Sequence, residues 1–154
     1  PPLMVGVFVN EDAMTIHHTM DAYGLHLAQL SGDEPEETLL ELGDRAYRAY
    51  RLRKPQITID EDQSRIVLLD AQVAGKYGGT GETCDWHTAA EISSQYNVLL
   101  AGGLTPENVA QAIRRVQPWG VDSNTSTNIK GDKVLKDMVR VAKFCSTIRD
   151  SEKT

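Results

Sequence analysis

The residue of this sequence best placed for acid–base chemistry is Asp70. It follows four apolar residues, Ile66-Val67-Leu68-Leu69, which are typical of a buried strand. A carboxyl group held beside apolar walls retains its proton more readily than an exposed one, and it can then act as a general acid. A helix cap or a surface turn is the alternative interpretation of the same position.

Two turns rich in backbone donors follow later strands. Gly102-Gly103 separates the run Val98-Leu99-Leu100-Ala101 from a helix expected to begin at Thr105-Pro106-Glu107, and a similar turn follows Gly120-Val121. Backbone N–H groups in such turns bind anions, above all phosphate. A tight turn that merely needs glycine is the alternative. The turns therefore predict a phosphate site whose candidate residues are Gly102, Gly103, Asp122, Ser123 and Asn124.

A third loop, residues 75–81, contains four glycines in seven residues. Such a loop can lie close to a ligand or move as a lid. It does not end in Gly-Lys-Ser/Thr, so it is not a P-loop. A flexible connector is the alternative.

The sequence indicates no metal site. Its histidines and cysteines lack the spacing of metal ligands, and Cys84, although it lies beside the glycine loop, has no pattern of a nucleophile around it. The residues concerned are His17, His18, His26, His87, Cys84 and Cys145.

The elements that must position these candidates alternate between strand and helix. We expect strands at residues 4–9, 25–30, 45–52, 66–69, 98–101 and 119–121, and helices at 11–22, 33–42, 85–96, 105–116 and 134–148, with Asn10 capping the first helix. Alternation at this spacing implies parallel strands joined by right-handed crossovers.

An open doubly wound sheet and a (β/α) barrel both fit this alternation. No Gly-x-Gly-x-x-Gly follows the first strand, which disfavours the nucleotide-binding open sheet. Polar residues follow nearly every strand, as in barrels, where the chemistry lies at the carboxyl ends of the strands. Six strands in 154 residues would leave a barrel unclosed, since eight strands normally take about 200 residues or more.

Composition excludes several classes of protein. The net charge of −6 argues against a general nucleic-acid binder. No apolar run approaches the length of a membrane helix, and no secretion signal is visible, so we expect a cytoplasmic protein with no membrane partner.

Six motifs then occur in one order along the chain. They are Val5-Gly6-Val7-Phe8-Val9-Asn10; Ala28-Gln29-Leu30-Ser31-Gly32-Asp33-Glu34; Leu68-Leu69-Asp70; Tyr77-Gly78-Gly79-Thr80-Gly81 with Asp85-Trp86; Leu100-Ala101-Gly102-Gly103-Leu104-Thr105-Pro106-Glu107-Asn108-Val109; and Gly120-Val121-Asp122-Ser123. In this combination, from Val5 to about Phe144, the sequence closely resembles the phosphoribosylanthranilate isomerases of tryptophan biosynthesis.

This resemblance implies a (β/α)8 TIM barrel, of which residues 1–154 would form a single domain covering approximately strands 3 to 8, without the first two βα units. It implies the Amadori rearrangement of N-(5'-phosphoribosyl)anthranilate to the 1-deoxyribulose 5-phosphate, with no metal or organic cofactor. Asp70 would be the general acid. The turns at Gly102-Gly103 and Asp122-Ser123-Asn124 would hold the phosphate, and the loop with Gly78 and Gly79 would border the substrate.

The sequence departs from the family at several points. The family's base is a Cys in a Lys-Ile-Cys-Gly motif on the first strand, and neither Cys84 nor Cys145 stands in that place. Ser31 replaces a common His, and Asp122-Ser123-Asn124 replaces Asp-Val-Ser-Ser-Gly. Residues 53–64 are a poor helix for a fifth βα unit.

Three interpretations therefore stay open. The chain is part of such an isomerase, a non-catalytic phosphate-ligand-binding barrel fragment that lacks its base, or another phosphosugar barrel enzyme. The expected partner is a small phosphorylated substrate. The protein could be a monomer, a homodimer, or fused to or associated with other tryptophan-pathway enzymes.

Overall fold

A computed structural model describes residues 1–52, 59, 66–71 and 85–151. Contacts divide the chain into two compact units. Unit 1 comprises Pro1–Tyr50 and Gln56–Leu68, and unit 2 comprises Arg51–Pro55 and Leu69–Thr154.

Unit 1 alternates strands with helices in sequence order. Its strands are neighbours in the order β1-β2-β3-β4, and the β1–β2 and β2–β3 pairs are parallel, with Val5 opposite Leu27 and Ala28 opposite Ala46. The elements are β1 (Val5–Phe8), α1 (Ala13–Tyr23), β2 (Leu27–Leu30), α2 (Glu36–Leu42), a 3-10 turn (Gly43–Arg45), β3 (Ala46–Arg51, whose last residue belongs to unit 2) and the first residues of β4 (Ile66–Asp70).

Unit 2 repeats the pattern. It contains the end of β4 and has the strand order β4-β5-β6, with β5 and β6 parallel and Leu99 opposite Gly120. Its other elements are α3 (Trp86–Ser93), β5 (Asn97–Ala101), α4 (Val109–Val116), β6 (Gly120–Val121), a 3-10 turn (Thr125–Thr127) and α5 (Met138–Ser151).

Each unit has its own apolar core. In unit 1, Ile16 and Met20 of α1 are fully buried in a cluster that includes Ala28 and Leu30 of β2. In unit 2, the alternate residues Val98 and Leu100 of β5 and the helix residue Val109 are fully buried. Burial of each large aliphatic side chain contributes about 1.5–3 kcal/mol, which is why the short apolar runs of the sequence form these strands.

The predicted parallel α/β architecture is confirmed, and the strand order bears on the choice between the two candidate folds. A doubly wound sheet reverses its strand order at a switch point. In each unit the order instead follows the sequence, as it does around a barrel.

Two predicted helix starts are wrong. The helix after β5 begins at Val109 rather than at Thr105-Pro106-Glu107, and the last helix begins at Met138 rather than at residue 134. The predicted cap of α1 is also wrong, because Asp12 accepts the Thr15 N–H at 2.8 Å, while Asn10 has a φ of 59°. Gly24 ends α1 in the left-handed conformation, which glycine adopts without strain.

Candidate active site

Asp70 is the last residue of β4, as predicted. The two residues before it, Leu68 and Leu69, are buried, and Asp70 itself is half-buried. Its carbonyl oxygen accepts the Leu52 N–H at 3.1 Å, and the next residue, Ala71, donates its N–H to the carbonyl of Ala101 at 3.0 Å. The backbone around this carboxyl group is therefore fixed from both sides within unit 2.

The turns that follow β5 and β6 lie against each other. The Asp122 N–H donates to the carbonyl of Leu100 at 2.8 Å, and the Ser123 hydroxyl donates to the carbonyl of Leu104 at 2.9 Å. Ser123 Oγ also lies 2.6 Å from Ser126 Oγ. The two turns predicted to bind phosphate are thus joined into one surface of unit 2.

Asn108 explains why the helix after β5 begins late. Its side chain accepts the Thr105 N–H at 2.8 Å and donates to the carbonyl of Gly103 at 3.1 Å, so residues 103–108 close into a loop before α4 starts. Gly102 and Gly103 have φ angles of 97° and 71°, which glycine adopts without strain. The predicted anion donors therefore belong to a loop with consecutive left-handed glycines and not to a helix N-terminus.

Several backbone N–H groups of the joined turns have no hydrogen-bond acceptor among the described residues. Leu104 is buried and Ser123 is half-buried, whereas Gly103 and Asn124 are exposed; a backbone N–H that is shielded from water normally finds a partner. Four N–H groups in these turns have none among the residues that the structure describes, namely those of Gly103, Leu104, Ser123 and Asn124. An anion of several oxygens, such as a phosphate, could accept from them. The Asp122 N–H is not available, since Leu100 accepts it.

Asp122 is electrostatically coupled to Asp70. The residue is exposed over its surface as a whole, yet the protein around its carboxyl group desolvates it, and this raises its pKa above the ordinary value. The Lys136 charge works in the opposite direction, and the Asp70 charge raises the pKa further. Two of the predicted site residues therefore act on each other within unit 2.

Lys136 is a residue of this region that the sequence did not indicate. Its ammonium group donates to Asn124 O at 2.8 Å, Asn124 Oδ1 at 2.6 Å and Asn128 Oδ1 at 2.6 Å. The sequence interpretation placed Lys136 in the last helix, whereas it pairs with Asn128 in an isolated antiparallel bridge. Nothing in its spacing to Asn124 could have revealed these contacts.

The loops after β1 and β2, in unit 1, have a different arrangement. Glu34 is only 4% exposed, and its carboxylate accepts the Asn10 N–H at 2.8 Å and the Gly32 N–H at 3.1 Å. Asn10 Oδ1 accepts the Asp33 N–H at 2.7 Å. Arg48 donates to the carbonyl of Glu34 at 2.8 Å. The carboxylate thus joins two loops, and sequence reasoning did not find it, because glutamate is rarely buried.

The remaining candidates divide between exposed positions and positions outside the described residues. Gly78, Gly79 and Cys84 lie outside the described residues. Cys145 is exposed on α5. Among the parts of the chain that are described, no group of three or more His, Cys, Asp or Glu side chains could hold a metal ion.

The comparison with known families bears on what this arrangement serves. The family model of N-(5'-phosphoribosyl)anthranilate isomerase matches residues 1–147. The chain belongs to this isomerase family. A relative of the same name from Roseiflexus sp. (strain RS-1) is 40% identical over 151 residues, which are 95% of this chain and 70% of the relative.

Solved isomerase structures agree with this family membership. The phosphoribosyl anthranilate isomerase of Thermotoga maritima is 29% identical and has a TM-score of 0.80, with 97% of this chain and 75% of that chain covered. A second isomerase structure, in complex with reduced 1-(o-carboxyphenylamino)-1-deoxyribulose 5-phosphate, is 27% identical with a TM-score of 0.74, covering 97% and 74%.

The prediction of an isomerase of tryptophan biosynthesis is therefore confirmed. In the described residues of this isomerase, no helix has both the length and the apolar character required to cross a bilayer.

Proposed function

We propose that this isomerase carries out the Amadori rearrangement of N-(5'-phosphoribosyl)anthranilate with Asp70 as its general acid. The observation that carries this proposal is the position of Asp70 at the end of β4, in the same unit as the open N–H groups of the β5 and β6 turns. A reaction on a sugar phosphate needs both an acid for the ring and a site for the phosphate.

The chemistry divides into two proton transfers. A general acid protonates the furanose ring oxygen, so the bond from that oxygen to the anomeric carbon breaks and leaves a Schiff base. A base then removes the proton from the neighbouring carbon, and the resulting enolamine tautomerises to the ketose. The half-buried carboxyl of Asp70, beside buried leucines, suits the first transfer. Cys145 is exposed on α5, and we do not assign the base to it.

The phosphate is proposed to accept hydrogen bonds from the N–H groups of Gly103, Ser123 and Asn124, with Gly102 supplying the backbone turn. Asp122 would hold the turn after β6 against β5 through its N–H, which donates to the carbonyl of Leu100 at 2.8 Å. Gly78 and Gly79 stay predicted substrate-loop residues.

We further propose that β1 to β6 correspond to strands 3 to 8 of a (β/α)8 barrel formed as a single domain. Val5 and Val7 of β1 are 39% and 63% exposed, which is unusual for valines of a parallel strand and fits a strand whose outer neighbour belongs to two further βα units. The chain covers 70% of its Roseiflexus relative, which fits the same interpretation. We also propose that the protein is cytoplasmic. Its expected assembly is a monomer, a homodimer or a fusion with other tryptophan-pathway enzymes.

A paired assay tests the function. The intact protein is expected to convert N-(5'-phosphoribosyl)anthranilate to the ketose, measured by chromatography, and to bind reduced 1-(o-carboxyphenylamino)-1-deoxyribulose 5-phosphate, measured by calorimetry. Binding without turnover would replace the proposal by the second candidate, a phosphate-ligand-binding barrel without a base. Turnover of a different phosphosugar, without this one, would overturn both.

A further inference from the structure

The ammonium group of Lys136 has all its hydrogen-bonding capacity in use. A lysine has three N–H donors, and the three oxygen atoms around Nζ lie at 2.8, 2.6 and 2.6 Å. Two of them belong to Asn124 and the third to Asn128. The cation therefore binds the turn after β6 and has no N–H left for a ligand in this arrangement.

The backbone holds Lys136 in place for these contacts. The Ile129 N–H donates to the carbonyl of Leu135 at 2.9 Å, and the Asp137 N–H donates to the carbonyl of Thr127 at 2.8 Å. Asp132 Oδ1 accepts the N–H groups of Val134 and Leu135 at 2.7 and 2.8 Å. Residues 127–137 thus form a closed loop that returns Lys136 to Asn124.

Asn124 is also one of the residues whose backbone N–H is open. Lys136 binds the carbonyl and the side chain of Asn124, both of which are joined to the N–H through the Cα atom of that residue. These contacts restrain the position of the residue that carries the N–H. The Lys136 charge also acts on Asp122, where it opposes the effect of desolvation. Lys136 therefore acts on two residues of the predicted phosphate site, on Asn124 through hydrogen bonds and on Asp122 through its charge.

We propose that Lys136 is a positioning residue of the phosphate site, which orients the Asn124 N–H toward the substrate phosphate without contacting the phosphate itself. This inference rests on the proposed function of the β5 and β6 turns. It separates the role of Lys136 from that of a direct phosphate ligand, because a ligand would need a free N–H.

Three substitutions and one control test the proposal in the intact protein. Lys136→Met removes the ammonium, Lys136→Arg keeps the charge but replaces a compact donor by a planar fork, and Asn128→Ala removes one acceptor. Lys143→Met is the control, since Lys143 lies on α5 and pairs with Glu107 at 2.9 Å.

All three test variants are expected to raise KM for N-(5'-phosphoribosyl)anthranilate, by on the order of tenfold for Lys136→Met, with kcat nearly unchanged. Inorganic phosphate as a competitive inhibitor is expected to weaken in parallel. Lys143→Met is expected to change neither value. Thermal unfolding measured in each variant separates a loss of fold from a loss of binding.

The arginine and alanine variants decide between positioning and direct contact. A wild-type KM in Lys136→Arg would show that the charge alone suffices. A lower KM in Asn128→Ala would show that a freed N–H binds phosphate, and an unchanged KM would show that the contact with Asn128 has no part in positioning. Any of these results would overturn the positioning role. If the wild-type protein turns over its substrate while no variant changes KM, this inference fails and the proposed function stands.

Discussion

The two units differ in how the backbone N–H groups of the loops after their strands find acceptors. In each, loops that follow parallel strands carry backbone N–H groups that need acceptors. In unit 1, the buried carboxylate of Glu34 accepts from Asn10 and Gly32, so the chain supplies its own anion. In unit 2, the N–H groups of Ser123 and Asn124 have no acceptor in the described part of the chain. The first arrangement stabilises the fold, and the second is open to a ligand.

The glycines of the two regions show the same difference. A Cβ on Gly32 would lie 2.7 Å from the Asn10 backbone nitrogen and 2.8 Å from Glu34 Oε1, so packing requires glycine there. None of the described residues lies within 4 Å of a Cβ built on Gly103, so its φ of 71°, and not packing, requires glycine there. The unit 1 loops are filled by their own atoms, whereas the described residues leave room for a Cβ at Gly103.

The strongest test of the open region is Asp70→Asn. An amide cannot protonate the ring oxygen, so kcat is expected to fall by about 10²–10⁴-fold, the usual contribution of a general acid. KM is expected to change little, because the phosphate donors are untouched. Steady-state kinetics measure both values. Retention of a near-normal kcat would rule out Asp70 as the acid.

The closed region is tested by Glu34→Ala. Removal of a buried carboxylate leaves the Asn10 and Gly32 N–H groups without an acceptor, and the free energy of unfolding is expected to fall by about 2–3 kcal/mol. Glu34→Gln, which keeps one acceptor oxygen, is expected to lose less. Urea denaturation gives both values. Equal stability of the alanine variant and the wild type would show that the carboxylate does not hold these loops.

A matched pair of glycine substitutions compares the two regions directly. Gly103→Ala is expected to raise KM about fivefold, the equivalent of one hydrogen bond, as the strained loop shifts its N–H groups. Gly32→Ala is expected to lower thermal stability with little change in KM, because it disturbs packing around Glu34. If Gly103→Ala lowered thermal stability without changing KM, and Gly32→Ala raised KM instead, the proposed difference between the two regions would be wrong.

Sequence reasoning was most successful where a single short segment decides the outcome. The apolar run before Asp70 is sufficient to define β4 and its end, and Gly24 is sufficient to end α1. Such features depend on local burial and backbone conformation, which the residues themselves specify.

The errors arise where a side chain contacts a distant segment. Asn108 takes the Thr105 N–H and delays α4, and the pairing of Asn128 with Lys136 delays α5. Glu34 and Lys136 both act on residues remote in sequence, at 24 and 12 positions respectively. Local propensity does not encode such contacts, so sequence reasoning missed the polar residues that organise the loops.

The smallest expected effect on stability comes from the carboxyl group of Asp122. Whereas the Glu34 carboxylate is expected to stabilise the fold, the Asp122 carboxylate is expected to destabilise it. Desolvation, together with the Asp70 charge, raises the pKa of Asp122, so its ionised form is disfavoured in the folded state. A group whose pKa is higher in the folded than in the unfolded state binds more protons when folded, and stability then falls as pH rises through the raised pKa. At neutral pH the ionised carboxylate therefore destabilises the wild type.

Asp122→Asn removes this titration. We expect the variant to be more stable than the wild type at pH 7, and the difference to vanish below the ordinary pKa of 3.8, where the wild-type carboxyl is protonated in both states. Denaturation curves of both proteins at about pH 2.5 and pH 7 measure the difference, and stability changes common to other groups cancel in it. A site that holds a desolvated carboxyl group for function, only partly compensated by the Lys136 charge, loses stability by it. A variant that is less stable than the wild type at pH 7 would show instead that Asp122, like Glu34, is a structural anion of the fold.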